Sequence, residues 1–314
     1  MKRLITVILS AVLLFCGCSE TNNNYSITTD KINIITTIFP HYDFAKQIGK
    51  DKINLNMLIP PGSESHTYEP TPKDMINIRD CDIFIYTGGE SDEWVRDIIS
   101  GIDTDTIFIS LMDVVKPLEQ QQKEGMQNTH LHENHHGHKE YDEHIWTSPV
   151  NAMKICEYIY NILCENDKNN AEFYKNNYIE YINELKQLDN SINEIISTAK
   201  RNTIVFGDRF PIRYFTEQYN IEYFAAFPGC AEQVEPSPKT LIYLINKVRD
   251  ENIPVVFYRE FSNKKVASII CEETGAKMLE FHSGHSITSD EFYSGITYID
   301  IMKSNIENLR EALN

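Results

Sequence analysis

A chain of 314 residues, 41% of them hydrophobic and with 17 Tyr and 15 Phe, is long enough to bury one or two proper cores. Its formal net charge of −17 leaves no basic face on which a polyphosphate could be held, which excludes nucleic acid as a partner. Acidity of this kind serves solubility first and the attraction of cations second.

The chain opens on "MKRLITVILSAVLLFCGCSE". Lys2 and Arg3 form a basic start, and Leu4 to Phe15 an apolar run too short to span a membrane comfortably. "LLFCGCS" then resembles a bacterial lipobox, with Gly17 before Cys18 and Phe15 where such signals usually carry Leu. The expectation is a signal peptide over 1–17, lipidation of Cys18 and a membrane-tethered, exported protein, periplasmic or on the cell surface, an ordinary cleaved signal being the plainer reading. Residues 18–31, polar and rich in Asn and Thr, read as a flexible tether. Five further cysteines (Cys81, Cys156, Cys164, Cys230, Cys271) are odd in number and irregularly spaced, as buried small hydrophobes would be rather than a disulfide or zinc framework.

Order begins at Ile32. Short β-branched runs at 32–39, 54–60, 82–88 and 106–111 alternate with helical patterns, and the rhythm returns with strand-like runs at 203–207, 222–227, 254–260 and 277–281. This predicts an α/β protein of two mostly parallel sheets with helices on their faces, one lobe over 32–165 and the other over 201–314. Between them Tyr174, Tyr178, Tyr181, Leu185, Leu188, Ile192, Ile195 and Ala199 recur at steps of three and four. That spacing predicts one long helix within 166–200; its tyrosines and unpatterned charges favour packing on its own lobes, hence a monomer, over a coiled-coil seam.

In parallel sheets ligands sit beyond the carboxyl ends of strands. His66, His144, Asp208, Glu260, His282 and His285 all fall at such positions, as does His41, which reads as a capping or lining residue. Imidazoles and carboxylates presented together suit zinc first, with manganese or iron where oxygen dominates. Glu64, Glu69 and Glu143 flank the histidines and could orient them, or be solvated loop acids.

At "PGSESHTYEPTPKD", "DEHIWTSPVNA" and "GITYIDIMKSNIENLREAL" the chain, from about Ile32 to its end, resembles the metal-ion receptors of bacterial ABC importers, zinc- and manganese-binding solute-binding lipoproteins. The resemblance implies two Rossmann-like lobes joined by one rigid helix, metal held in the cleft, no catalysis, and an ABC permease with its ATPase as partner. It implies His66 as first ligand and His144 as second. The third position falls on or beside Gly207, which puts Asp208 forward as a substitute; the fourth falls on His285, with His282 the near alternative. Histidine in place of the usual aspartate favours zinc over manganese.

Six of the ten histidines lie between Thr129 and Pro149. "HENHH" matches a zinc-protease signature, but that signature works only on a helix, and this stretch has no apolar face to bury. His130, His132, His135, His136 and His138 read instead as an accessory cation-collecting loop over 129–139, or as a neutral insertion. The expected function is capture of Zn2+, as transported cargo, for an ABC importer. A Mn2+ or iron receptor, a surface adhesin and, last, a secreted zinc hydrolase are the alternatives.

Overall fold

The computed structural model describes residues 31–127, 140–229 and 235–314. Lipidation at Cys18, the histidines 130–138 with their protease-like match, and Cys230 lie outside the described residues. Two four-stranded sheets, each wholly parallel, carry the chain. The first has the order β2-β1-β3-β4, built from β1 (Ile32–Thr36), β2 (Ile53–Met57), β3 (Ile83–Tyr86) and β4 (Ile107–Ser110). The second repeats the order as β6-β5-β7-β8, from β5 (Thr203–Arg209), β6 (Glu222–Phe227), β7 (Val255–Tyr258) and β8 (Lys277–Glu280).

Helices α1 (Phe39–Gly49), α2 (Pro72–Asp80) and α3 (Glu93–Gly101) connect the first sheet. Helices α6 (Arg213–Tyr219), α7 (Pro238–Asp250) and α8 (Lys265–Thr274) do so for the second. Between the two sheets run α4 (Pro149–Asn166) and α5 (Ala171–Thr198); α9 (Ser289–Ser294) and α10 (Tyr298–Leu313) close the chain. The long helix expected from the three-and-four spacing is thus α5, 28 residues and about 42 Å at the α-helical rise. No helix of the described residues is long and apolar enough to cross a membrane.

Strand alternation decides where each sheet buries its two faces. In β1 and β3, Ile34, Ile83 and Ile85 enter one large cluster while Ile35 and Phe84 turn to the opposite face, under Val95 and Ile98 of α3. In β5 and β7, Ile204, Phe206, Val255 and Phe257 enter that same large cluster, and Val205 and Val256 turn to Leu244, Val248 and Ile270 of α7 and α8. Leu185, Leu188, Ile192 and Ile195 of α5 belong to the large cluster too. The inner faces of both sheets therefore share one interior, threaded by the long helix.

Two other segments lace the lobes together. After β4 the chain crosses to the second lobe. There Leu118 N–H donates to the Tyr214 hydroxyl (3.0 Å), and Gln127 N–H donates to the Ala226 carbonyl (2.8 Å). At the far end α10 returns to the first lobe. Its Tyr298 N–H donates to Asp43 on α1 (2.9 Å), whose carboxylate also takes Gln47 (2.9 Å) and Tyr181 of α5 (3.3 Å). The four described cysteines are free; Cys81 and Cys156 are buried, as small apolar fillers would be.

Candidate metal site

Each of three histidines stands a few residues before a capped helix start. His66, in the loop after β2, precedes Thr71, whose hydroxyl and Asp74 cap α2 reciprocally. His144 precedes Ser148, which accepts from Asn151 N–H at the start of α4, with Pro149 preset for the first turn. His285, after β8, precedes Thr288, which forms a second reciprocal cap with Glu291 on α9. Loops that must re-enter a helix at a fixed cap have little freedom, and these present their imidazoles toward one another. One ring nitrogen from each of His66, His144 and His285 lies within 4.8 Å of the others. Ring centroids are 6.0 Å apart for His66–His144, 5.3 Å for His66–His285 and 5.4 Å for His144–His285.

The surrounding groups fix ring orientation. Asp142 Oδ1 accepts from both the backbone N–H (2.9 Å) and ring Nδ1 (3.0 Å) of His144. A carboxylate can only accept, so Nδ1 carries the hydrogen and Nε2 is left to bind. Asp142 is itself tied down, its carbonyl accepting from the Tyr214 hydroxyl (2.9 Å). Gly229 leaves room beside it: a Cβ there would stand 2.7 Å from the Phe210 carbonyl oxygen and 3.0 Å from Asp142 Oδ2. Glu143, held by Ser91 N–H (2.8 Å) and the Ser91 hydroxyl, lies 3.8 Å from His66 Nδ1. Trp146 Nε1–H donates to the Ser283 carbonyl (2.9 Å), and the Tyr298 hydroxyl to the Trp146 carbonyl (2.8 Å), so the His144 turn and the His285 loop brace each other. Glu260 anchors that loop from beneath, accepting from Ser283 N–H (2.8 Å) and its hydroxyl.

The three rings differ electrostatically. Burial, with the neighbouring His144, holds His66 below its ordinary pKa although Glu143 and Glu64 pull the other way. Burial, followed by His66, His144 and Arg259, holds His285 well below. Burial opposes a proton on His144 as well, but the Asp142 carboxylate overrides it and raises the pKa. Two imidazoles that burial keeps from protonating and one whose proton metal must displace make a nitrogen-rich site suited to a borderline cation.

The other residues singled out in the sequence stand apart. No carboxylate of the described residues joins the triad's 4.8 Å cluster. Asp208 faces Arg259, Oδ1 to Nε 3.6 Å, on the wall of a cavity of about 290 Å³. His282 has its Nδ1 taken up by the Gly284 N–H (2.9 Å), and its backbone is clamped by Asn305 (2.9 and 2.7 Å). His41 is fully buried, its Nδ1 3.4 Å from the Thr37 hydroxyl and its ring edge-on to Trp146, a lining residue. Glu69 is exposed, whereas Glu64 meets two arginines. Asp142, Ser65 and Trp146 join the site without standing out in the sequence; an acid two residues ahead of a metal-type histidine is the available signal for the first.

Two parallel-sheet lobes with an imidazole cluster built from loops of both define a metal-binding receptor of the solute-binding type. A family model described as "Zinc-uptake complex component A periplasmic" matches residues 34–312, and the chain belongs to that family. It is 31% identical over 301 residues to the high-affinity zinc uptake system protein ZnuA of Bacillus subtilis (strain 168), covering 95% of this chain and 92% of that one. Against the zinc-binding lipoprotein AdcA of Streptococcus pneumoniae (strain R6) it is 29% identical, covering 99% of this chain but spanning only 61% of that relative's length. Among solved structures, the Zn(II)-bound ZnuA-like domain of Streptococcus pneumoniae AdcA matches with a TM-score of 0.75 at 28% identity, over 90% of this chain and 99% of that one. The metal-dependent lipoprotein YcdH from Bacillus subtilis matches with a TM-score of 0.77 at 29% identity, over 90% of this chain and all of that one.

Proposed function

We propose that this protein captures Zn2+ outside the cell on His66, His144 and His285 and delivers it to the permease of an ABC importer. The observation that carries the reading is the convergence of three imidazoles from separate loops of both lobes within 4.8 Å. Three nitrogen donors favour zinc over manganese, whose harder cation prefers oxygen. Membership of a zinc-uptake family and the names of its relatives, one of them a lipoprotein, support the cargo and the extracytoplasmic location. Tethering through Cys18 belongs to the same reading, as does an accessory role for histidines 130–138 in gathering cations.

The test is a competitive zinc and manganese titration of the chain from Ser19 onward, beside a variant lacking residues 129–139 and His144→Ala. One-to-one zinc binding that outcompetes manganese, survives the deletion and is lost in His144→Ala is the expected result. Binding that vanishes with the deletion while His144→Ala behaves as wild type would overturn the triad.

A further inference from the structure

The loop that bears His66 is docked on the second lobe by three polar contacts at 62, 64 and 65. Gly62 N–H donates to the Ser286 hydroxyl (3.2 Å), and the Ser65 hydroxyl meets His285 Nε2 (2.5 Å). Between them Glu64 Oε2 lies 3.1 Å from Arg209 Nη2 and 3.7 Å from Arg259 Nη2. Arg259 in turn reaches Asp208, so Arg209, Glu64, Arg259 and Asp208 alternate in sign, with the first lobe's loop set between charges at the carboxyl ends of β5 and β7. Both guanidiniums are nearly buried, their side chains 9% and 12% exposed, while Glu64 is 36% exposed and comes to them across the lobe boundary. Gly207 allows this wall to exist: a Cβ there would meet the Ala267 backbone at 2.5 Å, so only glycine lets α8 pack against β5 beside Asp208 and Arg209.

Resting on the zinc-receptor reading, we infer that Glu64 is a positioning residue. Held by Arg209 and Arg259, it keeps the His66 loop seated on the second lobe and thereby sets how slowly bound zinc escapes. The hydroxyl contact at Ser65 cannot do this alone, since the ring it touches is one that metal engages. An ionic tie two residues from His66 remains in place whichever partner His285 has. Its charge pairing also explains why Asp208, placed where the resemblance puts a ligand, is withheld from the metal: the arginine that holds Glu64 holds Asp208 too. A partly buried ion pair of this kind acts chiefly on dissociation, while encounter with a small cation is left nearly untouched.

The experiment measures zinc loading and chelator-driven zinc release by stopped flow for the wild type, Glu64→Gln, Arg209→Met, Arg209→Lys and the double variant Glu64→Gln/Arg209→Met. Metal-free melting temperatures are taken alongside. Expected are release about tenfold faster in Glu64→Gln, loading within about threefold of wild type, and a metal-free melting temperature within about 2 °C, since the side chain changed is the exposed member of the group and Gln keeps its shape. Arg209→Lys should release more slowly than Arg209→Met, and the double variant no faster than Glu64→Gln alone, because that change already removes the carboxylate that both arginines hold. Release from Glu64→Gln at the wild-type rate, or acceleration in the double variant equal to the product of the singles, overturns the inference. His144→Ala is titrated in parallel: a wild type without His144-dependent zinc binding brings down the receptor reading itself. A wild type that binds normally, with Glu64→Gln releasing like it, brings down only the ion-pair tie.

Discussion

Asp142 holds His144 twice, once by the backbone and once by the ring, with both bonds ending on the same carboxylate oxygen at 2.9 and 3.0 Å. The ring cannot rotate without breaking the second bond, and Nε2 is the only nitrogen it can offer. Replacing Asp142 with Asn puts an amide where an obligate acceptor stood and permits the wrong tautomer. Zinc affinity of Asp142→Asn should fall about 10- to 100-fold, the range for partners of metal-bound histidines, with the far-ultraviolet spectrum unchanged. Competition against a chromophoric chelator measures it; affinity within twofold of wild type would show that the carboxylate does not orient the ring.

Proton release follows from the same pair. His144 has its pKa raised by Asp142, while His66 and His285 are held low by burial. At pH 6 the metal-free site therefore carries its proton on His144, and zinc must displace it. Calorimetric titrations at pH 6 in two buffers of different ionisation enthalpy should report close to one proton released per zinc, falling toward zero as pH rises past the His144 pKa. Below that pKa, apparent affinity drops about tenfold per pH unit. Zero release at pH 6 is the contrary result.

Asp43 is buried at the meeting of α1, α5 and α10, and burial raises its pKa to about 6 against the bonds from Gln47, Tyr298 N–H and Tyr181. Asp43→Ala would strand the Tyr298 N–H and the Tyr181 hydroxyl. A loss of about 2–4 kcal/mol in urea unfolding is expected, and Asp43→Asn should recover at least half of it. Equal losses in the two variants would mean that filling the space, not accepting hydrogen bonds, is what Asp43 does.

His41 supplies a pH dependence of stability. Burial lowers its pKa from 6.5 to about 3, so between those values the unfolded chain binds a proton that the folded one refuses, and stability falls as pH falls. Asp43 works the opposite way from its ordinary value up to about 6, where the folded state is the one that holds the proton. Buried Asp92, raised to about 7, works with Asp43 over this range, so the His41 contribution is read as a difference: from pH 7 to pH 5 metal-free His41→Gln should gain about 2 kcal/mol of stability relative to the wild type. Denaturant midpoints at the two pH values decide it; identical pH dependence in the two proteins would mean that His41 is protonated in the fold.

The long helix and the doubled β/α rhythm were legible because burial on one face writes a period into the chain. The meeting of His66, His144 and His285 was legible because each stands in a loop just ahead of a helix cap, and Thr71, Ser148 and Thr288 are caps that a reader can see. That Asp208 faces an arginine and not the triad was not. Asp208 and Arg259 are far apart in sequence, and only the bend of β5 beside β7 brings them together. The crossing at 118–127 was invisible for a related reason. It is fastened by isolated bonds to Tyr214 and Ala226, and isolated bonds leave no period.

Ile34 of β1 and Phe257 of β7 belong to one cluster, with Leu185 and Ile192 of α5 between the sheets in the same cluster. Neither half of the polypeptide owns a complete interior, so a fragment ending at α5 would expose the oily surface its missing half covers. A shared interior of this kind predicts that the two lobes unfold together. A protease that pries open either end forfeits both, and the captured ion is surrendered in the same stroke.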